Sequence, residues 1–230
     1  KASRALIRDF GEIEKLQVSI KGPADFVSNA DLKAEKIIIE ELKKARPYYS
    51  IISEEDGSES NKDKNNTWII DPIDGTTNFL HGVPHFAISI ALRSGDEIVS
   101  GIIYDPIKDE MFYAEKENGA FFNNQRIRVS QKRDLNSCLF ATGGLSKNEV
   151  DLILRKSGSA ALDMAYVAAG RYDGYFQNEL NLWDVAAGII ILKEAGGMIN
   201  AINLSQNKNI QIRASSMAIN DKMLKKLENF

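Results

Sequence analysis

Trp68-Ile69-Ile70-Asp71-Pro72-Ile73-Asp74-Gly75-Thr76-Thr77-Asn78-Phe79 is the stretch on which the reading turns. Its apolar opening predicts a short buried strand that delivers Asp71. Pro72 fixes φ and donates no hydrogen bond, which favours a rigid turn. Gly75 lets the backbone approach a ligand closely. Thr76 and Thr77 open a helix whose free N–H groups would face an anion. Carboxylates for a hard cation beside backbone donors for a phosphate suit metal-assisted phosphoryl hydrolysis. An isolated Asp-x-x-Asp-Gly is more often a plain turn with a capping Asp. The full string is far more specific.

Two further acidic segments lie outward from it. Ile51-Ile52-Ser53-Glu54-Glu55-Asp56-Gly57 again places acids after an apolar strand. Alone, three adjacent acids are usually a solvated loop. Trp183-Asp184-Val185-Ala186-Ala187-Gly188 puts an acid at the start of a helix of small residues. That Asp could equally be an N-cap, and the small side chains would let the helix pack closely.

The remaining pattern supplies a frame. An amphipathic segment runs near Ala5 to Ile13, and a loop follows around Lys21 to Asp25. Asp31 sits where a helix N-cap would, ahead of Ala34, Ile37, Ile38, Leu42 and Ala45, and Pro47 closes that helix. Ser58 to Asn66 reads as a polar loop. Strands are predicted at Phe86 to Leu92, Ile98 to Tyr104, Met111 to Ala114, and Ala120 to Val129 with an Asn123-Asn124 turn. The central portion therefore reads as an antiparallel sheet. The second half alternates: strand Ser137 to Ala141, helix Ser159 to Ala169, strand Gly174 to Phe176, helix Asp184 to Ala195. Strands Met198 to Ile202 and Ile210 to Ala214 follow, then a final helix capped by Asn220. A boundary near Asp134 divides the chain into an α+β part, 1–134, and an α/β part, 135–230, within one compact unit.

Composition limits the function classes. The chain has 230 residues, 43% of them hydrophobic, enough for a substantial core. A net charge of −3 gives no support to nucleic acid or anionic membrane as an obligatory partner. Cys138 is the single cysteine, so no intramolecular disulfide forms, and a cytoplasmic setting is expected. No apolar stretch approaches the roughly 20 residues of a spanning helix. Cys138, His81, His85, Lys43-Lys44, Lys225-Lys226 and the aromatic run Tyr172 to Phe176 read as structural or surface residues.

Taken together, Asp25-Phe26-Val27-Ser28-Asn29-Ala30-Asp31, Glu54-Glu55, Asp71 to Phe79, Gly158-Ser159-Ala160-Ala161 and Trp183 to Gly188 resemble the inositol monophosphatase family. That family lies within the lithium-sensitive, magnesium-dependent phosphatases. The match runs from about Lys21 to Gly197. It implies a layered α-β-α-β-α sandwich, with an antiparallel sheet in the first half and a mixed sheet in the second, commonly as a homodimer. It implies two to three Mg²⁺ ions. Glu54, Asp71 and the Ile73 carbonyl would hold the first; Asp71, Asp74 and Asp184 the second; a third, weaker ion would share Glu54 with water. Asp31 and Thr76 resemble the acid–hydroxyl pair that orients the attacking water, making Asp31, Glu54 and Thr76 the candidate catalytic residues. Gly75, Thr76 and Thr77 would cradle the phosphate. Gly158, Ser159 and Ala160 would border the alcohol portion.

The charges are consistent with that set. Four carboxylates face two or three divalent cations, and the surplus positive charge can offset a phosphate dianion and a developing alkoxide. No covalent phospho-enzyme is needed. Two departures concern the substrate. Gln177 stands where inositol monophosphatases usually carry a Glu that binds substrate hydroxyls, and Gln binds them more weakly. Glu179 is close but falls on the other face of a regular strand. The segment from Gly143 to Gly158 is shorter than is usual. The expected substrate is a small phosphate monoester, with inositol 1-phosphate as the default. The same chemistry on histidinol phosphate, fructose 1,6-bisphosphate or a 3′-phosphoadenosine nucleotide is the alternative. Some bacterial relatives associate with the transcription machinery, so RNA polymerase is a further candidate partner.

Overall fold

Each long strand sends neighbouring side chains into different cores, and that alternation sets the layers. The computed structural model describes residues 1–12, 18–22, 25–143, 151–202 and 206–228. Its first part runs α1 (Ala2–Phe10), β1 (Val18–Gly22), β2 (Asp25–Ser28), α2 (Asn29–Ala45), β3 (Ser50–Ser53), β4 (Ser58–Glu59), β5 (Asn66–Asp74) and α3 (Thr76–Leu80). Five strands follow: β6 (Ala87–Ser94), β7 (Glu97–Asp105), β8 (Glu110–Glu115), β9 (Gly119–Phe122) and β10 (Gln125–Arg126). The second part has β11 (Leu139–Ala141), β12 (Ile153–Arg155), α4 (Ala160–Ala168), β13 (Gly174–Leu180) and α5 (Leu182–Glu194). It closes with β14 (Gly197–Ile202), β15 (Ile210–Ser216) and α6 (Asn220–Lys226).

An eight-stranded sheet has the order β10-β9-β8-β7-β6-β5-β3-β4, and a five-stranded sheet the order β12-β11-β13-β15-β14. On β5, Ile70 joins the apolar cluster of Leu6, Ala34 and Ile38 from α1 and α2. Its neighbour Ile69 joins the large cluster of α4 and α5, which also takes Tyr175, Ile212 and Ala214 from the second sheet. On β13, Phe176 faces away from Tyr175 and packs with Phe140, Ile219 and Met223. The layers are therefore α1 and α2, the large sheet, α4 and α5, the small sheet, and α6, which is the expected α-β-α-β-α sandwich. Gly188 of α5 allows close contact in the middle layer, since a Cβ there would stand 2.7 Å from Met164 Cβ on α4.

The structure departs from the sequence expectations in local ways. The first-half sheet is not wholly antiparallel, because β3 pairs parallel with β5. The small sheet is mixed as expected: β11 runs parallel to β12 and β13, and β15 antiparallel to β13 and β14. The Ser58 to Asn66 loop contains β4. Helix α2 begins at Asn29, so Asp31 lies in its first turn and is not its cap. Asn181, rather than Asp184, is the N-cap of α5, and Ile219 rather than Asn220 precedes α6. Part of the Lys21 to Asp25 loop and residues 144–150 of the shortened segment lie outside the described residues. Among the described residues no helix is long and apolar enough to cross a membrane.

Candidate active site

A bulge explains why two carboxylates three residues apart share one site. Strand β5 does not end at Asp71 in a turn; it continues through Asp74. Asp71 pairs with Ser89 and Asp74 with Ala87, so three steps on β5 oppose two on β6. In a regular strand, residues i and i+3 face opposite sides. The extra residue re-aims Asp74 to the side of Asp71, and a bulge tolerates Pro72, which has no ladder hydrogen bond to give. Gly75 then takes φ +97°, and an added Cβ would stand 3.1 Å from the His85 carbonyl oxygen and 3.3 Å from that of Gly158. Only glycine suits both demands. Helix α3 starts at once, with Thr76 and Thr77 leading.

These residues open on a cavity of about 420 Å³ between the sheets. Its walls include Glu54, Asp71, Ile73, Asp74, Gly75, Thr76, Thr77, Gly158, Ser159, Ala160, Gln177 and Asp184, drawn from five separate stretches of sequence. Of the candidate residues, Asp31 alone is not on that wall. It is buried on α2, close enough to Glu54 and Thr76 to feel both.

Three of the four candidate metal-binding carboxylates are fixed by backbone amides. Asp71 Oδ1 accepts from Ile73 N at 3.0 Å. Asp74 accepts from Ala160 N at 3.2 Å and Ala161 N at 2.9 Å, and from the Ser159 hydroxyl in a very short contact. Asp184 Oδ2 accepts from Asn181 N at 2.7 Å, in a capping box that starts α5. Asp184 thus serves the helix and faces the cavity at once. Thr76 Oγ1 donates to the Ile73 carbonyl at 2.9 Å.

Crowding of like charges in a buried space raises the acids together. Burial, then the charges of Asp184 and Glu55, push Glu54 up to about 8. Burial lifts Asp184 to about 7, against the Asn181 amide. Burial lifts Asp74 to about 6, against the Ser159 hydroxyl and the first amides of α4. Asp71 is raised well above the ordinary carboxylate range by burial and by Glu54, Asp74 and Asp184. Asp31 is raised likewise by burial, Glu54 and Glu55, with the Thr76 hydroxyl working the other way. Such a set lacks cationic partners among these causes, and divalent cations are the counter-charge it fits. Among the described residues no three His, Cys, Asp or Glu side chains are already drawn together closely enough to hold a metal ion.

The other end of the cavity is neutral or hydrogen-bonded away. Gln177 lies against Gly143, and its Oε1 accepts from the Tyr175 hydroxyl at 2.8 Å. A register shift between Gln177 and Leu180, with Glu179 at φ +59°, turns Leu180 into the cavity wall and leaves Glu179 exposed. The rim strap, residues 157–159, is held from two sides. Asn78 Nδ2 donates to the Ser157 carbonyl at 2.9 Å and to the His85 carbonyl at 2.8 Å. The Ser157 hydroxyl donates to Asp163 Oδ1 at 2.7 Å. Asp163, which burial raises to about 8, lines the cavity and was not singled out from sequence. An acid inside the apolar run Ala160 to Val167 is the signal that could have found it. His85 and Cys138 do not line the cavity.

The family model described as the inositol monophosphatase family matches residues 1–229. The chain belongs to the inositol monophosphatase family. An inositol-1-monophosphatase of Caulobacter vibrioides is 45% identical, the match covering 99% of this chain and 96% of that protein. The Nus factor SuhB of Escherichia coli is 38% identical, with 98% of this chain and 89% of that protein covered. A crystal structure of the extragenic suppressor protein SuhB from Bartonella henselae superposes with TM-score 0.92 at 47% identity, over 98% of this chain and 93% of that one. Membership in this inositol monophosphatase family supports a phosphatase.

Proposed function

We propose that the cavity hydrolyses small phosphate monoesters with magnesium, inositol 1-phosphate being the reference substrate. The observation that carries this reading is the convergence of Glu54, Asp71, Asp74 and Asp184 on one cavity whose wall also holds the Gly75-Thr76-Thr77 helix start. Glu54, Asp71 and the Ile73 carbonyl would hold one ion, and Asp71, Asp74 and Asp184 another. Bound magnesium supplies positive charge for the phosphate oxygens and the leaving group, and acidifies water. The amides of residues 75–77 receive the phosphate and hold it by its oxygens. The Thr76 hydroxyl would accept a hydrogen bond from the attacking water and donate its own to Asp31, which would receive the proton. Gly158, Ser159, Ala160 and Gln177 meet the alcohol. A panel of phosphate monoesters assayed with Mg²⁺, followed by Li⁺, tests the reading. Release of phosphate from at least one member, suppressed by Li⁺, is the expected result; equal inactivity on all of them would sink it.

The SuhB relatives favour a second reading, in which the chain also contacts the transcription machinery. Retention of RNA polymerase on the immobilised protein is the expected outcome, and no retention removes the idea. A homodimer and a cytoplasmic setting complete the proposal; a sedimentation mass of one chain would overturn the dimer.

A further inference from the structure

Glu54 differs from the other three acids of the cavity in what holds it. Asp71, Asp74 and Asp184 each accept hydrogen bonds from backbone amides at the carboxylate itself. Among the described residues no amide donates to the Glu54 carboxylate, whose side-chain contact is with Asp71. Its place must therefore be set through its backbone, which lies in the loop after β3. That loop closes on itself, with Ser53 N donating to the Gly57 carbonyl at 2.7 Å. It is then pinned from outside by the side chain of Glu35 on α2. Glu35 Oε2 accepts from Glu55 N at 3.1 Å and Oε1 from Asp56 N at 2.8 Å.

Glu35 is 1% exposed, on a helix otherwise buried through Ala30, Ala34 and Ile38. A carboxylate costs free energy in such a place unless its oxygens are satisfied. Two successive amides satisfy both oxygens, and a single side chain with two parallel bonds fixes orientation as well as position. Asp31 lies four residues earlier, on the same face of the same helix, and is also buried. One rigid helix thus carries the acid beside Thr76 and the anchor of the Glu54 loop.

We propose that Glu35 is a positioning residue for divalent-cation binding, setting the Glu54 loop against Asp71 and in register with Asp31. The inference rests on the metal-dependent reading above, and goes beyond it by naming a residue that neither lines the cavity nor meets substrate. It makes a distinction that a merely structural role would not. Loss of Glu35 should weaken cation binding to the free protein, and leave the KM for phosphate ester at saturating Mg²⁺ where it was.

Glu35→Gln is the main variant. Its carbonyl oxygen can take one amide, while its NH₂ group meets the other donor, so one bond of the pair is lost in an isosteric side chain. Glu35→Ala removes both. Mn²⁺ binding to the substrate-free proteins, followed by electron paramagnetic resonance, is the readout, with melting temperature measured in parallel. Removing an outer partner of a ligand weakens metal binding by about 10- to 100-fold. The expected order of affinity is wild type, Glu35→Gln, Glu35→Ala, with the Glu35→Gln loss about tenfold. The lost rate should return as Mg²⁺ is raised. Mn²⁺ binding by Glu35→Gln as tight as wild type would overturn the role of Glu35 while leaving the metal reading intact. Rate lost in Glu35→Gln at every Mg²⁺ concentration, with Mn²⁺ affinity unchanged, would overturn it too. Wild-type protein that binds no Mn²⁺ would remove the metal reading itself.

Discussion

At one end of the cavity, Asp71, Asp74 and Gly75 to Thr77 come from one continuous string, and a single strand bulge aims them inward. At the other end, Gly143, Gly158, Gln177 and Asn181 arrive from separate segments and are tied by side chains such as Asn78, Ser157 and Tyr175. The first end is a product of local backbone geometry, with acids that burial and mutual repulsion raise. The second is a product of long-range packing, with amides and a clamped strap. On the proposed reading, chemistry at phosphorus would belong to the first end, and choice of alcohol to the second. Changes at the acidic end should therefore stop turnover on every substrate, while changes at the rim should re-rank substrates.

Asp74→Asn carries the largest expected effect. It keeps one oxygen for the α4 amides, loses one of their bonds to its NH₂ group, and removes a charge from the proposed cation site. Turnover should fall by about a hundredfold or more on every phosphate ester, with melting temperature shifted by a few degrees at most. Turnover near wild type would break the division at its acidic end.

Next comes pH. Folding raises Glu54 to about 8, Asp184 to about 7 and Asp74 to about 6, so the metal-free folded chain holds protons that the unfolded chain has lost. Stability then falls as pH rises from the ordinary carboxylate range towards 8, because deprotonation favours the unfolded state. Mg²⁺ binding displaces those protons and should tighten over the same range. Melting curves with EDTA and with Mg²⁺ at several pH values check both signs. A metal-free melting temperature that climbs from pH 5 to 8 would contradict the crowding of acids.

Gln177→Glu should matter less, and selectively. A carboxylate there accepts hydrogen bonds from hydroxyls more strongly than an amide does, raising kcat/KM for inositol 1-phosphate by about 3- to 10-fold. An unchanged or lower value would show that residue 177 does not meet the alcohol. Ser157→Ala is the mildest change. It releases one tie of the strap to Asp163 and should raise KM by about threefold, with kcat little altered. A fall in kcat alone would place the strap in the chemistry and blur the two ends.

Much of the acidic end was legible in sequence, because its information is contiguous. Asp71, Asp74, Gly75 and Thr76 lie within six positions, and Asp184 announces its own helix. The bulge was not legible: Asp-Pro-Ile-Asp looks like a turn, and only the pairing of β5 with β6 shows a strand that continues. The parallel step from β3 to β5 was hidden for the same reason, since pairing depends on a partner elsewhere. Glu35 left a fainter trace, an acid on the face of Ala30, Ala34 and Ile38. An acid on an apolar helix face asks for a distant partner, which the helix sequence cannot name. The rim was least legible, since Tyr175, Ser157 and Asn78 act on residues that folding alone brings near.

On the proposed reading, Glu54, Asp71, Asp74 and Asp184 form one cation centre beneath the phosphate cradle. Anomalous scattering from crystals soaked in Mn²⁺ tests it most directly. At least two peaks are expected within this cavity, with Asp71 touching both. A cavity without anomalous density, at a Mn²⁺ concentration that sustains phosphate release in solution, would contradict it.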